Sequence, residues 1–158
     1  MNFENRGSEI TKINEISEQL KKPDLTLGEL EAKIKEMGSI IRSLKRDKWR
    51  FEEGMQKLEN LSNNSSIPYD VRKKIGEEST KIKFERINEE LLGTREPSKI
   101  LNILKKTEKA ARESQISSNK ELKSEIEKTR RLIKPFLNHS EKLIKDKAVE
   151  IDKIISKL

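Results

Sequence analysis

The sequence predicts an all-α fold. Apolar residues recur three and four apart through most of its 158 positions, and no segment alternates convincingly with period two. Val and Tyr, which favour strands, occur only twice and once. The expected architecture is an elongated helical bundle of about five helices, one of them long and coiled-coil-like, in a single domain over 1–158.

The first helix is expected over 8–22. Ile10, Ile13, Ile16 and Leu20 draw one stripe there, Ser8 stands as a cap, and Lys21-Lys22 suits a helix C-terminus ahead of Pro23.

The strongest signal covers 27–61. Thr26-Leu27-Gly28-Glu29 has the form of a capping box, in which hydroxyl and carboxylate satisfy backbone donors that the helix leaves open. Leu27, Leu30, Ile34, Met37, Ile41, Leu44, Lys48, Phe51, Met55 and Leu58 then follow at alternating spacings of three and four, and nine of these ten are apolar. A pattern sustained over more than four heptads predicts a coiled-coil seam on a helix of about 50 Å. Lys48, the exception, is expected to act as a polar seam position that sets register or partner number. Gly38 and Gly54 each cost about 1 kcal/mol against Ala inside such a helix. Close approach of another helix would account for them, and so would a local bend.

Turn residues from Asn60 to Ser66 predict a loop over 62–68, with Pro68 opening a helix over 69–92. That helix carries Val71, Ile75, Ile82, Phe84, Ile87, Leu91 and Leu92 in a less regular stripe, and Gly93 is a fitting stop. A fourth helix is expected over 98–134. Its ends are apolar, whereas Ser114 to Asn119 form a polar interruption where it breaks or loosens. Pro135 ends or kinks it, and a last helix over 136–158 places Leu137, Ile144, Ile151, Ile154 and Leu158 on one side.

Composition narrows the function classes. Charged residues make up 40% of the chain and hydrophobic ones 32%, with no Cys and one His. A disulfide framework, a thiol nucleophile and a thiolate metal site are therefore excluded. No apolar run approaches a membrane span, and the N-terminal residues lack the basic-then-apolar order of a signal peptide, so an intracellular or virion-associated protein is expected. Neither a glycine-rich phosphate loop nor the Glu-x-x-His pairing of di-iron bundles occurs. His139 is expected at the surface or as a cap near the Pro135 bend. No catalytic residue, metal ligand or cofactor is assigned, an enzyme is not expected, and small-molecule binding is not favoured.

The charge is unevenly placed. Residues 1–61 hold 12 basic and 12 acidic side chains and residues 62–97 seven of each, whereas 98–158 hold 16 basic and nine acidic. The whole net charge of +7 thus lies in the last stretch, an asymmetry that marks contact with a polyanion. Three clusters are candidates for nucleic acid: Arg42, Lys45, Arg46, Lys48 and Arg50 around Trp49; Lys99, Lys105, Lys106, Lys109 and Arg112; and Lys128, Arg130, Arg131 and Lys134. Guanidinium and ammonium groups on long helices could track phosphates without reading bases. Arg42, Lys45, Arg46 and Trp49 would share one face of the long helix. The plainer alternatives are solvated surface for the cations and helix packing for Trp49.

The functional expectation is a non-enzymatic assembly protein. It self-associates through the seam Leu27, Leu30, Ile34, Met37, Ile41, Leu44, Phe51, Met55 and Leu58, which one chain would leave partly wet, and shows basic faces to DNA or RNA. The alternative is an adaptor or scaffold whose seam receives a partner protein's helix without nucleic acid. Integral membrane partners are not expected.

Overall fold

Local capping decides where each helix begins. The computed structural model describes the backbone of residues 3–22, 24–114 and 117–158, with side chains from Ser8 onward, and among these residues every regular element is helical. The helices are α1 (Phe3–Leu20), α2 (Leu27–Ser43), α3 (Lys48–Ser62), α4 (Tyr69–Gly93), α5 (Pro97–Glu113), α6 (Lys120–Ile133) and α7 (Lys142–Ser156), with a 3-10 turn over Lys134–Asn138. None is long and apolar enough to cross a membrane. The chain divides into two compact units, Met1–Ser79 and Thr80–Leu158, so α4 contributes its start to one and its remainder to the other.

The single helix expected over 27–61 is two helices. The Thr26 hydroxyl caps α2 by accepting from the Glu29 N–H at 3.2 Å, as the capping box predicts. After Ser43 the helix tightens. The N–H groups of Leu44, Lys45 and Asp47 donate to carbonyls three residues back, and the Asp47 carboxylate then accepts from the Arg50 N–H at 3.3 Å to cap α3. Lys48, assigned to the seam by spacing, is the first residue of α3. A cap followed by a new helix outweighs a seam position that had nothing apolar to bury.

In the first unit α1 and α2 run antiparallel, for Lys12 reaches Glu36 at 3.5 Å and the Ser43 hydroxyl donates to Glu9 at 3.1 Å. The chain reverses again at 44–47, which brings α3 back against α2: a Cβ on Gly54 would lie 3.0 Å from Cγ1 of Ile41 and 3.5 Å from Cδ1 of Ile13. One on Gly38 would collide with the Glu78 carboxylate of α4. Close approach, not bending, thus accounts for both glycines. The core takes Ile13, Ile16 and Leu20 from α1, together with Ile67, Val71 and Ile75. Most of the expected seam joins them: Leu30, Ile34, Met37, Ile41, Leu44, Met55 and Leu58 are buried, Phe51 is half-buried, and Leu27 is half-exposed. The stripe expected to stay wet for a neighbour is covered by the chain's own helices.

Two other boundaries shift. Ser8 lies inside α1, which reaches back to Phe3, while Pro23 lies outside the described residues. The segment 98–134 is two helices, separated at the polar interruption of which Gln115 and Ile116 lie outside the described residues. Ser114 returns its hydroxyl to the Ala110 carbonyl, and the Asn119 side chain caps α6 by accepting from the Leu122 N–H at 3.0 Å. Pro135 ends α6 in the 3-10 turn, so α7 starts at Lys142 instead of 136. Ahead of α7, His139 Nδ1 accepts the Glu141 N–H at 3.0 Å.

The second unit is a bundle of the α4 remainder, α5, α6 and α7. Pairing fixes the directions. Lys83–Glu113 and Lys106–Glu90 set α5 antiparallel to α4, whereas Lys81–Glu121 and Asn88–Glu125 set α6 parallel to it. Glu108–Lys147 and Arg112–Glu150 set α7 parallel to α5 and hence antiparallel to α6. Phe84, Ile87, Leu91, Ile100, Ile103, Leu104, Leu122, Ile126, Ile133, Ile144, Ile151 and Ile155 fill the core. Val71 and Ile75 occupy a different phase of the α4 repeat from Phe84, Ile87 and Leu91, which is why its stripe reads as irregular. A buried polar knot interrupts this core. The Thr129 hydroxyl donates to Asn88 Oδ1 at 2.5 Å and to the Glu125 carbonyl at 3.0 Å, while Asn88 Nδ2 donates to that carbonyl at 3.1 Å. Asn88 and Thr129 are both buried, so the knot ties α6 to α4 in one register.

Candidate nucleic-acid interface

Dividing the chain into units sharpens the charge asymmetry. Met1–Ser79 carries 15 basic and 15 acidic side chains; Thr80–Leu158 carries 20 basic and 13 acidic. Which cations stay open then depends on the ion pairs between helices.

The cluster around Trp49 is not brought onto one face, because the helix it needed stops at Ser43. Arg42 pairs with Glu78 at 2.8 Å, Arg50 lies 3.7 Å from Asp47, and Lys45 and Arg46 sit in the 44–47 turn. Trp49 itself is 81% exposed, so the plainer alternative of packing on another helix does not hold. One turn along α3, at helical spacing from the indole, stand exposed Glu52 and Glu53. A phosphate chain would meet both carboxylates beside the ring.

The α5 cluster divides. Arg112 belongs to a closed ring of charges with Glu108, Lys147 and Glu150 across α5 and α7: Lys147–Glu108 is 2.6 Å, Arg112–Glu108 3.2 Å and Lys147–Glu150 3.7 Å, and Arg112 also hydrogen-bonds Glu150. Hydrogen bonding first from Lys147 and then from Arg112 holds the Glu108 carboxyl below its usual range, against the opposing pull of desolvation. The same bonds to Glu108 raise Lys147 and Arg112 above theirs. Lys106 lies 3.9 Å from Glu90, which leaves Lys105 and Lys109 exposed and without an ion pair among the described residues. Arg112 is thus structural; Lys105 and Lys109 are open.

The third cluster divides in the same way. Arg130 donates to Asp152 on α7 at 2.8 Å, a bond that raises its pKa, whereas Lys128, Arg131 and Lys134 are exposed and unpaired among the described residues. Open cations absent from the sequence clusters join these three. Lys120 and Lys123 on α6, and Lys142, Lys145, Lys153 and Lys157 on or beside α7, are exposed and form no ion pair among the described residues. With Lys128, Arg131 and Lys134 they make nine. On α6 Lys120 and Arg131 stand opposite buried Leu122, Ile126 and Ile133, and on α7 Lys142 and Lys153 stand opposite Ile144, Ala148 and Ile151, whereas Lys123 and Lys145 flank those stripes. Searching each helix for cations away from its apolar stripe would have found them, whereas looking for runs of adjacent basic residues passed over isolated lysines.

Comparison with protein-family models, with curated proteins and with solved structures finds no match.

Among the described residues no three His, Asp or Glu side chains converge as metal ligands, and the His139 imidazole is engaged at the start of α7. Ammonium groups in general can hold phosphate oxygens by charge and hydrogen bonding, with no base edge required.

Proposed function

We propose that the protein is a non-enzymatic helical binding protein that holds nucleic acid through its second unit, contacting phosphates independently of base sequence. The observation that carries this reading is the concentration of nine cations, exposed and unpaired among the described residues, on or beside α6 and α7 in the unit that bears the whole net charge. Retention of labelled nucleic acid by the full chain tests it. If all nine cations meet phosphates, log affinity falls against log salt with a slope of about −8 on duplex. A slope near zero, or no retention at about 50 mM salt, removes nucleic acid from the account.

A second reading is favoured by Trp49. An indole 81% exposed between Lys48 and the pair Glu52-Glu53, in a unit of zero net charge, suits a mixed-charge protein surface better than a polyanion. The first unit then serves as an adaptor. Self-association through the 27–58 stripe finds less support, since that stripe is largely buried within one chain.

A further inference from the structure

Two observations place the open cations of α6 and α7. The Arg130–Asp152 bond, 2.8 Å long, joins the sides on which the two helices meet. The buried stripes, Leu122, Ile126 and Ile133 on α6 and Ile144, Ala148 and Ile151 on α7, point into the core. Successive residues of a helix turn by about 100°. Lys120, Lys123 and Arg131, with Lys134 just past the helix end, therefore lie between the outermost line of α6 and the side that carries Arg130. Lys142, Lys145 and Lys153 lie between the outermost line of α7 and the side that carries Asp152. These cations share the face that the two helices make together, whereas Lys128 and Lys157 stand at its outer edges.

The helices are antiparallel, and Arg130 beside Asp152 sets their levels. Lys120 and Lys123 come first along the face; Lys153 and Arg131 follow side by side; Lys134, Lys145 and Lys142 complete the series. At about 1.5 Å per residue the run covers about 30 Å. Its widest interval, about 9 Å between Lys123 and Lys153, is flanked by Lys157 and Lys128. Positive charge is thus continuous along the pair. Glu121, Glu125, Glu150 and Asp152 are engaged by Lys81, Asn88, Arg112 and Arg130. Exposed Glu127, Glu141 and Asp146 then oppose nine cations, a net +6 (nine minus three).

A long, continuous band of charge fits a polyanion laid along it. A duplex carries one negative charge per about 1.7 Å, so about 30 Å of it holds about eighteen phosphates, about nine of them on one side. A single strand gains instead from aromatic rings that stack its unpaired bases. Between Lys120 and Lys157 the rings are Phe136, packed on the core, and His139, which lies against Phe136 and accepts the Glu141 N–H. Neither offers a stacking platform. A duplex stacks its own bases and is held through its phosphates alone.

We infer that the partner is a nucleic-acid duplex lying lengthwise along the face shared by α6 and α7, held by cations of both helices over about nine base pairs. This rests on the nucleic-acid reading above and adds the form of the partner, the face and the direction.

Fluorescence anisotropy of the full chain across a salt series tests it, with a DNA duplex, an RNA duplex and one DNA strand of equal length as probes. Three double variants are compared, each checked for unchanged circular dichroism. The middle pair is Arg131→Gln with Lys153→Gln. The end pair is Lys120→Gln with Lys142→Gln, which lie about 30 Å apart. The control pair, Lys105→Gln with Lys109→Gln, removes exposed cations of α5 on the far side of the bundle. A duplex should bind more tightly than the single strand and with a steeper salt slope, and the tighter of the two duplexes names the nucleic acid. Middle and end pairs should each lower the duplex slope by about 2, with affinity falling more than tenfold at about 50 mM salt, while the control changes the slope by less than about 0.5. An end pair that behaves like the control overturns the lengthwise placement, and a control equal to the other pairs overturns the face. A single strand bound as tightly as both duplexes overturns the duplex. Each of these leaves the nucleic-acid reading standing, whereas absence of binding to all three probes overturns both.

Discussion

Replacing Thr129 with Val probes the buried knot that aligns α4 and α6. The two side chains have nearly the same shape, so the substitution removes a hydroxyl without opening a cavity. In the native unit that hydroxyl donates to Asn88 Oδ1 at 2.5 Å and to the Glu125 carbonyl at 3.0 Å. The carbonyl keeps Asn88 Nδ2 as a partner at 3.1 Å, whereas among the described residues Asn88 Oδ1 has no other donor. Asn88 is 2% exposed, so water is poorly placed to replace the lost donor. One stranded buried acceptor costs about 1 to 3 kcal/mol, which in a chain of this size lowers the melting temperature by about 2 to 4 °C per kcal/mol. Asn88→Leu is milder, because the Thr129 hydroxyl retains the Glu125 carbonyl. Combining Asn88→Leu with Thr129→Val removes the stranded oxygen altogether, so the double variant should be more stable than the sum of the single losses by about 1 kcal/mol or more. Urea unfolding followed by far-UV circular dichroism measures all three. The reasoning is refuted if Thr129→Val shifts stability by less than about 0.5 kcal/mol, or if the two losses simply add.

Three further outcomes are expected. Gly54→Ala puts a methyl 3.0 Å from Ile41 Cγ1 and should destabilise by about 1 to 3 kcal/mol; Gly28→Ala meets nothing within 4 Å and should stabilise by about 0.5 to 1 kcal/mol, and equal urea midpoints for the two would contradict the close approach of α3 to α2. Glu108, with its carboxyl lowered from 4.5 by Lys147 and Arg112, contributes stability that is present above that value and disappears as pH falls through the lower folded value. Acid titration of the urea midpoint should show this loss and Glu108→Gln should reduce it, while an unchanged titration would remove the ring of charges from the stability account. Trp49, 81% exposed, should emit like indole in water and be readily quenched by iodide, and Trp49→Ala should alter stability by less than about 0.5 kcal/mol; blue-shifted, protected emission would place it in a packed contact.

Much of the secondary structure was legible locally. Thr26 ahead of Glu29 started α2, the Asn-Ser run before Pro68 made a loop, and Pro135 stopped α6, because a cap or a missing N–H acts within one helical turn. Asp47 carried the same kind of signal. That signal is masked because Leu44, Lys48 and Phe51 preserve the three-and-four spacing across the break, and only Lys48 interrupts the apolar series at the residue where α3 begins. The candidate interface was half legible. Arg131 and Lys134 lay in a sequence cluster, whereas Lys123, Lys145 and Lys153 stood singly in the chain.

The sequence by itself determined helix, cap, stop and the stretch that carries the excess charge, since each depends on neighbours a few residues away. Tertiary structure alone decided two things. An apolar stripe is equally satisfied by a second molecule or by the same chain turned back on itself, and the reversal at 44–47 chose the latter. A cation is open or engaged according to carboxylates 22 to 40 residues distant: Asp152 takes Arg130 and Glu121 takes Lys81, while Lys123 and Lys153 meet none. Coulomb pairing follows distance in space, which local patterns along the chain do not encode.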